Sequence, residues 1–326
     1  MLVPFDGSEP ARAALRLAIG FGKQHAAVSI VTIVDEMPLV AQSTTAMVAL
    51  DPAPLLDALD EQGQALLDDA AAQCRAEGVK PALTTIYERH VAGILAAAAD
   101  TSSDVIIMGT HARTGVARTF LGSTTEGVLR ASTIPVLTVR NAARVAAAPF
   151  ATVLLALDDS EPADAAAIVT ARLVQTVGSR VVACHAIEPA RVHDSSAALS
   201  FGFPPMHLAE ELRREALSTV DGALTRAGLP ENTPVVIVDG DPAEAIVATA
   251  NARGAGTIVA GTHGRRGLRR FALGSVAENV VRKSEVPVLI VPAKRQGGYD
   301  RVEPSSLAAQ RSIFARRSAN FTGLDR

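Results

Sequence analysis

Two glycine-rich segments have residue types and spacings that suit the binding of an anion. One runs GTHGRRGLRRFALGS from Gly261, and a looser copy, GTHARTGVARTFLGS, begins at Gly109. Glycine has no Cβ and reaches positive φ freely, so backbone amides in such a loop can approach a bound group closely. Each segment follows an apolar run and precedes a helical pattern. Strand, glycine loop and helix in this order predict a phosphate-binding loop.

The 326-residue chain is an internal duplication. Asp6 and Asp158 lie in matching contexts, PFDGSEPARAA and ALDDSEPADAA, and the two glycine loops keep the same offset of 152 positions. Over 31 residues from Gly109 and from Gly261, 17 are identical. The duplication predicts a first domain over residues 1–142, a second over 150–293, and a poorly ordered tail over 294–326.

Composition narrows the classes of function. The chain is 48% apolar and 3% aromatic, with a formal net charge of −3, so no global charge favours nucleic acid or an anionic membrane. We therefore expect neither as a partner. No apolar run approaches the ~18 residues of a membrane span, and the N-terminus lacks the pattern of a secretory signal. Cys74 and Cys184 are interpreted as buried apolar residues in a reducing compartment, and a cytoplasmic location is expected.

Each unit alternates short apolar strands with helices. Its first strand (Leu2 to Phe5, or Val153 to Leu157) is followed by the acid Asp6 or Asp158. Ser8 and Ser160 are the predicted N-caps of the helix after the first strand. Gly78 and Gly228 are the predicted C-caps of the long amphipathic helix that precedes the third strand of each unit. The stretches 37–54 and 189–205 are predicted to be loops.

This alternation predicts an α/β fold of two tandem Rossmann-like domains. Each would have a five-stranded parallel sheet with helices on both faces. In such sheets, ligands bind at the carboxyl ends of the strands, where the strand order reverses. One pocket per unit is expected there, beside Asp6 and Gly109 in the first and beside Asp158 and Gly261 in the second.

At these motifs the chain resembles the universal stress protein family in its tandem two-domain form, over residues 1 to 293. The signature of its ATP-binding members is Gly, two residues, Gly, nine residues, Gly, then Ser or Thr. Gly261, Gly264, Gly274 and Ser275 match it fully. The resemblance implies adenine nucleotide alpha hydrolase-like domains, pairing of the two units through their last strands (PVLTV with PVLIV), and further association of two chains as a homodimer.

The resemblance also implies an adenine nucleotide, ATP with or without Mg²⁺, at each strand-end cleft. In the second unit Asp158 would lie near adenine or ribose and is the candidate Mg²⁺ contact. The backbone of Ile187 would flank the base, and Ser275 would donate to phosphates. The nucleotide-binding residues implied for this unit are Leu157, Asp158, Ile187, Gly261, His263, Gly264, Arg265, Gly274, Ser275 and Val276.

The first unit departs from the signature. Ala112 replaces Gly264, and Glu88-Arg89-His90 replaces Gly240-Asp241-Pro242 before the third helix. We therefore expect a weakened first site. The corresponding residues are Phe5, Asp6, Val34, Gly109, His111, Arg113, Gly122, Ser123 and Thr124.

Simpler interpretations of these residues stay open. The glycine segments could be tight strand–helix connections, and Asp6 and Asp158 could serve only to cap the following helix or to bind loop amides. His111 and His263 are interpreted as loop histidines, and no metal ligand set or catalytic residue is predicted. The favoured function is nucleotide-dependent regulation in a stress response. The alternatives are a slow ATPase or adenine-nucleotide hydrolase, and an assembly, small-molecule or lipid-binding module without nucleotide.

Overall fold

The fold is an alternation of strands and helices repeated twice. The computed structural model describes residues 1–24, 26–35, 53–110, 121–140, 145, 148–188, 205–262 and 273–293. In the first unit the strands are β1 (Leu2–Pro4), β2 (Ser29–Val34), β3 (Ala82–Tyr87), β4 (Ile106–Gly109) and β5 (Val136–Val139). Its helices are α1 (Glu9–Gly22), α2 (Ala53–Ala76), α3 (His90–Asp100) and α4 (Ser123–Ala131).

The second unit repeats the same order. Its strands are β6 (Thr152–Ala156), β7 (Arg180–Ile187), β8 (Val235–Asp239), β9 (Thr257–Gly261) and β10 (Val288–Val291). Its helices are α5 (Glu161–Val177), α6 (Pro205–Ala227), α7 (Pro242–Ala252) and α8 (Ser275–Lys283).

The ten strands of the described residues form one sheet in the order β3-β2-β1-β4-β5-β10-β9-β6-β7-β8. Neighbouring strands within each unit are parallel, with β1 between β2 and β4, and β6 between β7 and β9. The two units meet where β5 runs antiparallel to β10, with Leu137 opposite Leu289. The Thr138 hydroxyl donates to the Val288 carbonyl at 3.1 Å across this pairing.

Helices cover both faces of the sheet, as the alternation predicts. One core packs α1, α2, α5 and α6 against the sheet, and the other packs α3, α4, α7 and α8. Many of the buried helix residues are alanines, such as Ala14, Ala18 and Ala166, which are fully buried. Such small side chains let a helix lie close to a parallel sheet that is itself rich in buried Val, Ile and Leu. None of the described helices is both long and apolar enough to cross a lipid bilayer.

The predicted helix caps are confirmed. Ser8 and Ser160 have extended backbones, and each accepts a bond from the amide three residues on, both at 3.3 Å. A proline lies in the first turn of each helix that follows, where no amide hydrogen is needed. Gly78 and Gly228 have φ of +74° and +69°, the left-handed conformation that ends a helix.

Element boundaries differ from the sequence prediction at the site and in the long helices. β1 and β6 end at Pro4 and Ala156, so Phe5 and Leu157 belong to the turns that follow. The helices α2 and α6 begin at Ala53 and Pro205, inside the ends of the stretches predicted to be loops. The rest of those loops and the 294–326 tail lie outside the described residues.

An aromatic contact supplements the strand pairing between the units. Phe21 in α1 and Phe150, just before β6, have ring centroids 5.3 Å apart at an interplanar angle of 52°. Phe150 is only 7% exposed. Tilted ring pairs at this separation are attractive beyond the area they bury.

Replacing Phe150 by Ala is expected to lower the free energy of unfolding by about 3 kcal/mol, because it empties a buried ring site. Denaturant unfolding followed by circular dichroism measures the change. Leu217→Ala is the control, since Leu217 is 44% exposed and its truncation should change stability by no more than about 0.5 kcal/mol. Equal effects of the two substitutions would contradict the assignment of Phe150 to the core between the units.

Candidate functional site

The site in each unit lies where the strand order reverses. From β1 the chain moves outward to β2 and β3, then returns to β4 on the other side of β1. The same reversal occurs between β6 and β9. The turns holding Asp6 and Asp158 follow the central strands, and Gly109 and Gly261 end the neighbouring ones. The structure therefore brings the predicted acid and the start of the predicted glycine loop to the same sheet edge in both units.

Both acids bind the amide two residues later. The Asp6 Oδ1 accepts from the Ser8 amide at 2.9 Å, and the Asp158 Oδ1 accepts from the Ser160 amide at 3.1 Å. The Ser160 hydroxyl donates to the same Asp158 oxygen. These bonds fix the orientation of each carboxylate at the cleft. The simpler prediction, that Asp6 and Asp158 bind loop amides, is therefore confirmed. A further role of these acids towards a bound group stays a prediction.

Gly109 and Gly261 have a packing reason for lacking a side chain. A Cβ on Gly261 would lie 2.6 Å from the Pro162 Cβ and 2.7 Å from its carbonyl carbon. On Gly109 it would lie 2.6 Å and 2.8 Å from the same atoms of Pro10. Contacts this short would push the strand end away from the first turn of α1 or α5. The two glycines therefore allow the strand end to touch the helix start.

Each glycine loop is closed at its base by a backbone bond. The Gly274 amide donates to the Thr262 carbonyl at 2.7 Å, and the Gly122 amide donates to the Thr110 carbonyl at 2.9 Å. Gly274, which the family resemblance places in the nucleotide site, thus has a backbone partner for its amide, and its role towards a nucleotide stays a prediction. The amides that follow it, at Ser275 and Val276, begin α8.

The starts of α4 and α8 differ from those of α1 and α5. Their N-caps are Gly122 and Gly274, which offer no side-chain bond to the first helical amides. At α1 and α5 a serine makes that bond. Unbonded amides at a helix start, together with the helix dipole, favour an anion. Ser123 and Ser275 are exposed at these positions, with Thr124 and Val276 half-buried beside them.

The carboxyl ends of β2 and β7 are bonded to different residue types. The Ile187 carbonyl accepts from the Gly240 amide at 3.1 Å, whereas the Val34 carbonyl accepts from Glu88 at 3.2 Å. Gly240 has a φ of +142°, which Glu88 does not share. The sequence difference noted before the third helix therefore corresponds to a difference in backbone conformation.

The start of the third helix differs as well. In the second unit, the Asp241 carboxylate caps α7 by accepting from the Glu244 amide at 2.9 Å. In the first unit Arg89 occupies the N-cap of α3 and makes no side-chain cap bond. His90 instead approaches the Asp35 carboxylate at the end of β2, with 3.5 Å between Nδ1 and Oδ2.

Sequence reasoning missed two side chains beneath the acid turns. The Thr32 hydroxyl in β2 donates to the Phe5 carbonyl at 3.0 Å. At the matching place in β7, the His185 Nδ1 and the Leu157 carbonyl are 2.9 Å apart. Both side chains are buried. The available signal was a polar residue inside a largely apolar run, Thr32 in VSIVTIV and His185 in VVACHAI.

Five predicted site residues lie outside the part of the chain that the structure describes: His111, Arg113, His263, Gly264 and Arg265. The same holds for Ala112. Their roles stay predictions. Among the described residues, no group of three or more His, Cys, Asp or Glu side chains could hold a metal ion.

Both cysteines are buried and unpaired, as predicted. Burial raises the pKa of the Cys184 thiol to about 11, and it also raises the pKa of Cys74. A thiol with a raised pKa stays protonated at neutral pH and is a weak nucleophile.

A comparison with models of protein families matches both units of the chain to one family. A sequence model of the universal stress protein family matches residues 1–140 and again residues 149–292. The chain belongs to the universal stress protein family. The two matches agree with the duplication seen in the sequence and in the sheet.

Individual relatives match part of the chain. A universal stress protein of Thermus aquaticus, named for its place in the QAH/OAS sulfhydrylase 3′ region, is 35% identical over 143 residues, covering 44% of this chain and 98% of its own length. Universal stress protein Rv2005c of Mycobacterium tuberculosis is 26% identical over 195 residues, covering 58% of this chain and 61% of its own.

Solved structures show the same fold. A universal stress protein from Archaeoglobus fulgidus matches with a TM-score of 0.65 and 24% identity, over 90% of this chain and 98% of its own. At this identity the likeness concerns the fold alone. Another solved universal stress protein, in complex with cAMP, is 25% identical over 43% of this chain with a TM-score of 0.30, and its ligand is a property of that protein.

The packing role of Gly261 predicts a stability effect separate from any ligand. Gly261→Ala is expected to destabilise the protein by about 2 kcal/mol, because the added methyl overlaps Pro162. Gly20→Ala is the control: Gly20 lies in α1 with no atom within 4 Å of an added Cβ, and the change should stabilise by about 0.5–1 kcal/mol. Thermal unfolding in ligand-free buffer distinguishes them. A Gly261→Ala protein as stable as the wild type would disprove the close contact.

Proposed function

We propose that the second unit binds ATP at the cleft between β6 and β9 and that the protein acts as a nucleotide-dependent regulator in a stress response. The observation that supports this most directly is the start of α8. It combines an uncapped helix N-terminus with a complete Gly261, Gly264, Gly274 and Ser275 signature at the reversal of strand order.

The polyphosphate would lie at the start of α8. The amides of Ser275 and Val276 and the Ser275 hydroxyl are donors there, and the positive end of the helix dipole points at the same place. The loop base formed by Gly274 and Thr262 holds these donors at the sheet edge. Arg265 and His263 belong to the proposal as neighbours of the phosphates on the basis of the sequence match.

The nucleoside would extend towards β6 and β7. Asp158 is held by the Ser160 amide with its carboxylate half-buried at the end of β6. A carboxylate there suits a ribose hydroxyl, or a Mg²⁺ ion that accompanies the phosphates and offsets their charge. The backbone next to Ile187 and Leu157 would flank the adenine base. We propose binding and not catalysis, because phosphoryl transfer requires a positioned base or water-orienting residue, which the sequence did not predict.

The first cleft would bind nucleotide more weakly. It retains Phe5, Asp6, Val34 and Gly109, together with an uncapped α4 start at Gly122, Ser123 and Thr124. Its rim is altered by the Asp35 and His90 contact and by Glu88 in place of Gly240. Ala112, where the signature has glycine, adds a Cβ inside the loop.

The remaining parts of the proposal concern assembly and location. The register of β5 against β10 supports the two units acting as one body through their last strands. Further pairing of two chains into a homodimer is part of the proposal, with neither nucleic acid nor a membrane as partner. A cytoplasmic location fits the two unpaired, buried cysteines.

Gly274→Val is expected to abolish ATP binding in calorimetry, with at least a 100-fold loss of affinity, because the isopropyl group would fill the space at the α8 start where the phosphates would lie. The φ of −67° at Gly274 is open to valine, so the fold should survive. Gly122→Val, at the same place in the first unit with a φ of −62°, is the control and should leave the tighter binding unchanged. Unaltered affinity in the Gly274→Val protein would refute the site.

Stoichiometry tests the difference between the units. We expect one tight ATP per chain, because only the second loop has the full signature. Calorimetry combined with mass spectrometry of nucleotide released from freshly purified protein counts the bound molecules. Two equally tight ATP per chain would show that Ala112 and the altered rim do not weaken the first cleft.

A further inference from the structure

The sheet has an open edge in the first unit, at β3. Among the described residues, β3 pairs with β2 and with no other strand. The amides of Ala82 and Glu88 donate to backbone carbonyls of β2 and its flanking residues, at 2.9 Å and 3.2 Å. Because alternate residues of a strand direct their backbone groups to opposite sides, the even-numbered residues of β3 bind β2. The amides and carbonyls of Leu83 and Thr85 therefore point outward from the edge.

The side chains along this edge are accessible and uncharged. Leu83 is 38% exposed, and Thr84 and Thr85 are half-buried. β3 reads ALTTIY, without a charged residue that would discourage pairing. An open edge of this kind is a template on which another extended segment can add.

The helix α2 lies above the open edge. A Cβ on Gly63 would lie 3.8 Å from the Thr85 Cγ2, so this part of α2 covers β3. Asp69 marks the flank of α2 that faces α1, because it pairs with Arg12 of α1 at 2.6 Å. Since α1 packs on β1 and β4, and α2 packs on β2 and β3, the other flank of α2 faces the open edge.

This other flank is acidic. Four residues, called the acidic flank below, share it: Asp57, Asp60, Glu61 and Asp68. Counting about 100° per residue, all four lie across the exposed midline of the helix from Asp69. Within the described ranges none of the four forms an ion pair with a basic side chain, and Asp68 accepts a hydrogen bond from Gln64 at 3.0 Å. The open edge of β3 thus lies beside acids that have no basic partner.

The opposite edge of the sheet, at β8, has a different charge environment. The neighbouring helix α6 exposes both signs, with Glu210, Glu211 and Arg214. Arg213 of α6 pairs with Asp239 at the end of β8 at 2.6 Å. Charges beside β8 therefore compensate one another. Of the two edges, β3 is the one that favours a basic partner.

The C-terminal part of the chain has the complementary charge. Residues 294–326 hold seven Lys or Arg and three Asp or Glu, whereas residues 1–142 hold 10 and 15. The tail is thus basic and the first unit acidic. This difference favours contact between them at moderate ionic strength.

One stretch of the tail matches the edge in detail. Residues 311–317 read RSIFARR, with arginines at both ends and apolar residues between them. In an extended segment Arg311, Ile313 and Arg317 share one face, because side chains alternate. That face offers an apolar side chain to Leu83 and a cation at each end to the acidic flank.

The dimensions agree with this match. Arg311 and Arg317 would be ~20 Å apart in an extended segment, and Asp57 and Asp68 are ~17 Å apart along α2. β10, the last strand before the tail, lies five strands from β3 in the sheet order, which is ~24 Å. The stretch 294–310 spans up to ~55 Å when extended. The segment can therefore reach the edge within one chain.

We propose that residues 311–317 add to the open edge of β3 in the same chain as a further strand. Backbone hydrogen bonds to Leu83 and Thr85 hold the segment, and Arg311 and Arg317 contact the acidic flank. The pairing satisfies outward backbone groups and covers the edge against other chains. It does not involve the proposed ATP site, so either proposal can fail without the other.

The test is hydrogen exchange of the Leu83 and Thr85 amides in the full chain, followed by NMR. The variant carries Arg311→Glu and Arg317→Glu, which places acids against the acidic flank. We expect both amides to exchange at least about tenfold faster in this variant than in the wild type, because the added strand no longer protects them.

A matched control carries Arg295→Glu and Arg301→Glu. It changes the charge of the tail equally but outside the proposed strand, and its exchange should equal that of the wild type. The amide of Ile107, in the central strand β4, is the internal reference and should exchange alike in all proteins.

A rescue tests the direct contact between the charges. Adding Asp57→Arg and Asp68→Arg to the Arg311→Glu, Arg317→Glu variant restores opposite charges with their positions exchanged. Protection of the β3 amides should return towards the wild-type value.

Three results would overturn the inference. The first is equally fast exchange of the Leu83 and Thr85 amides in the wild type and in the Arg311→Glu, Arg317→Glu variant. The second is an equal loss of protection in the control, which would show a general effect of tail charge. The third is protection in the wild type that falls on dilution, since it would show that the tail of a second copy covers the edge.

Discussion

The ten-stranded sheet depends on the antiparallel pairing of β5 with β10. Every residue of both strands is buried, including Leu137 and Leu289 at the centre of the pairing. Without a partner each strand would expose apolar side chains and unpaired backbone groups along a sheet edge, which soluble proteins avoid. Pairing the two edges within one chain satisfies these groups. It also makes the cores on the two faces of the sheet continuous from one unit to the next.

Much of the architecture follows from local sequence signals. A serine followed by Glu-Pro marks the starts of α1 and α5. A glycine with positive φ follows the ends of α2 and α6. Such signals act within one turn of helix, so a single sequence is enough to interpret them. The start of α2 at Ala53 was missed because residues 37–54 were predicted to be a loop, although Asp51 and Pro52, just before Ala53 in the sequence, are residue types common at a helix start.

The candidate site was only partly predictable, because some of its residues act over long distances in the chain. The sequence placed Asp158 and Gly261 at strand ends, since apolar runs stop there. It could not show that Gly261 touches Pro162, 99 residues earlier, because that contact exists only once β9 lies beside β6. His185 was missed for a related reason: its partner is a backbone carbonyl 28 residues away, which no side-chain motif marks.

The direction of the strands has a consequence for how the molecule meets its surroundings. Strands within a unit are parallel, but the units are joined antiparallel, so their carboxyl ends point in opposite directions. The two candidate sites therefore lie on opposite margins of the same sheet, related by an approximate two-fold axis between β5 and β10. A single chain thereby has the geometry of an isologous dimer whose halves have different sequences. A group bound at one margin therefore leaves the other margin accessible.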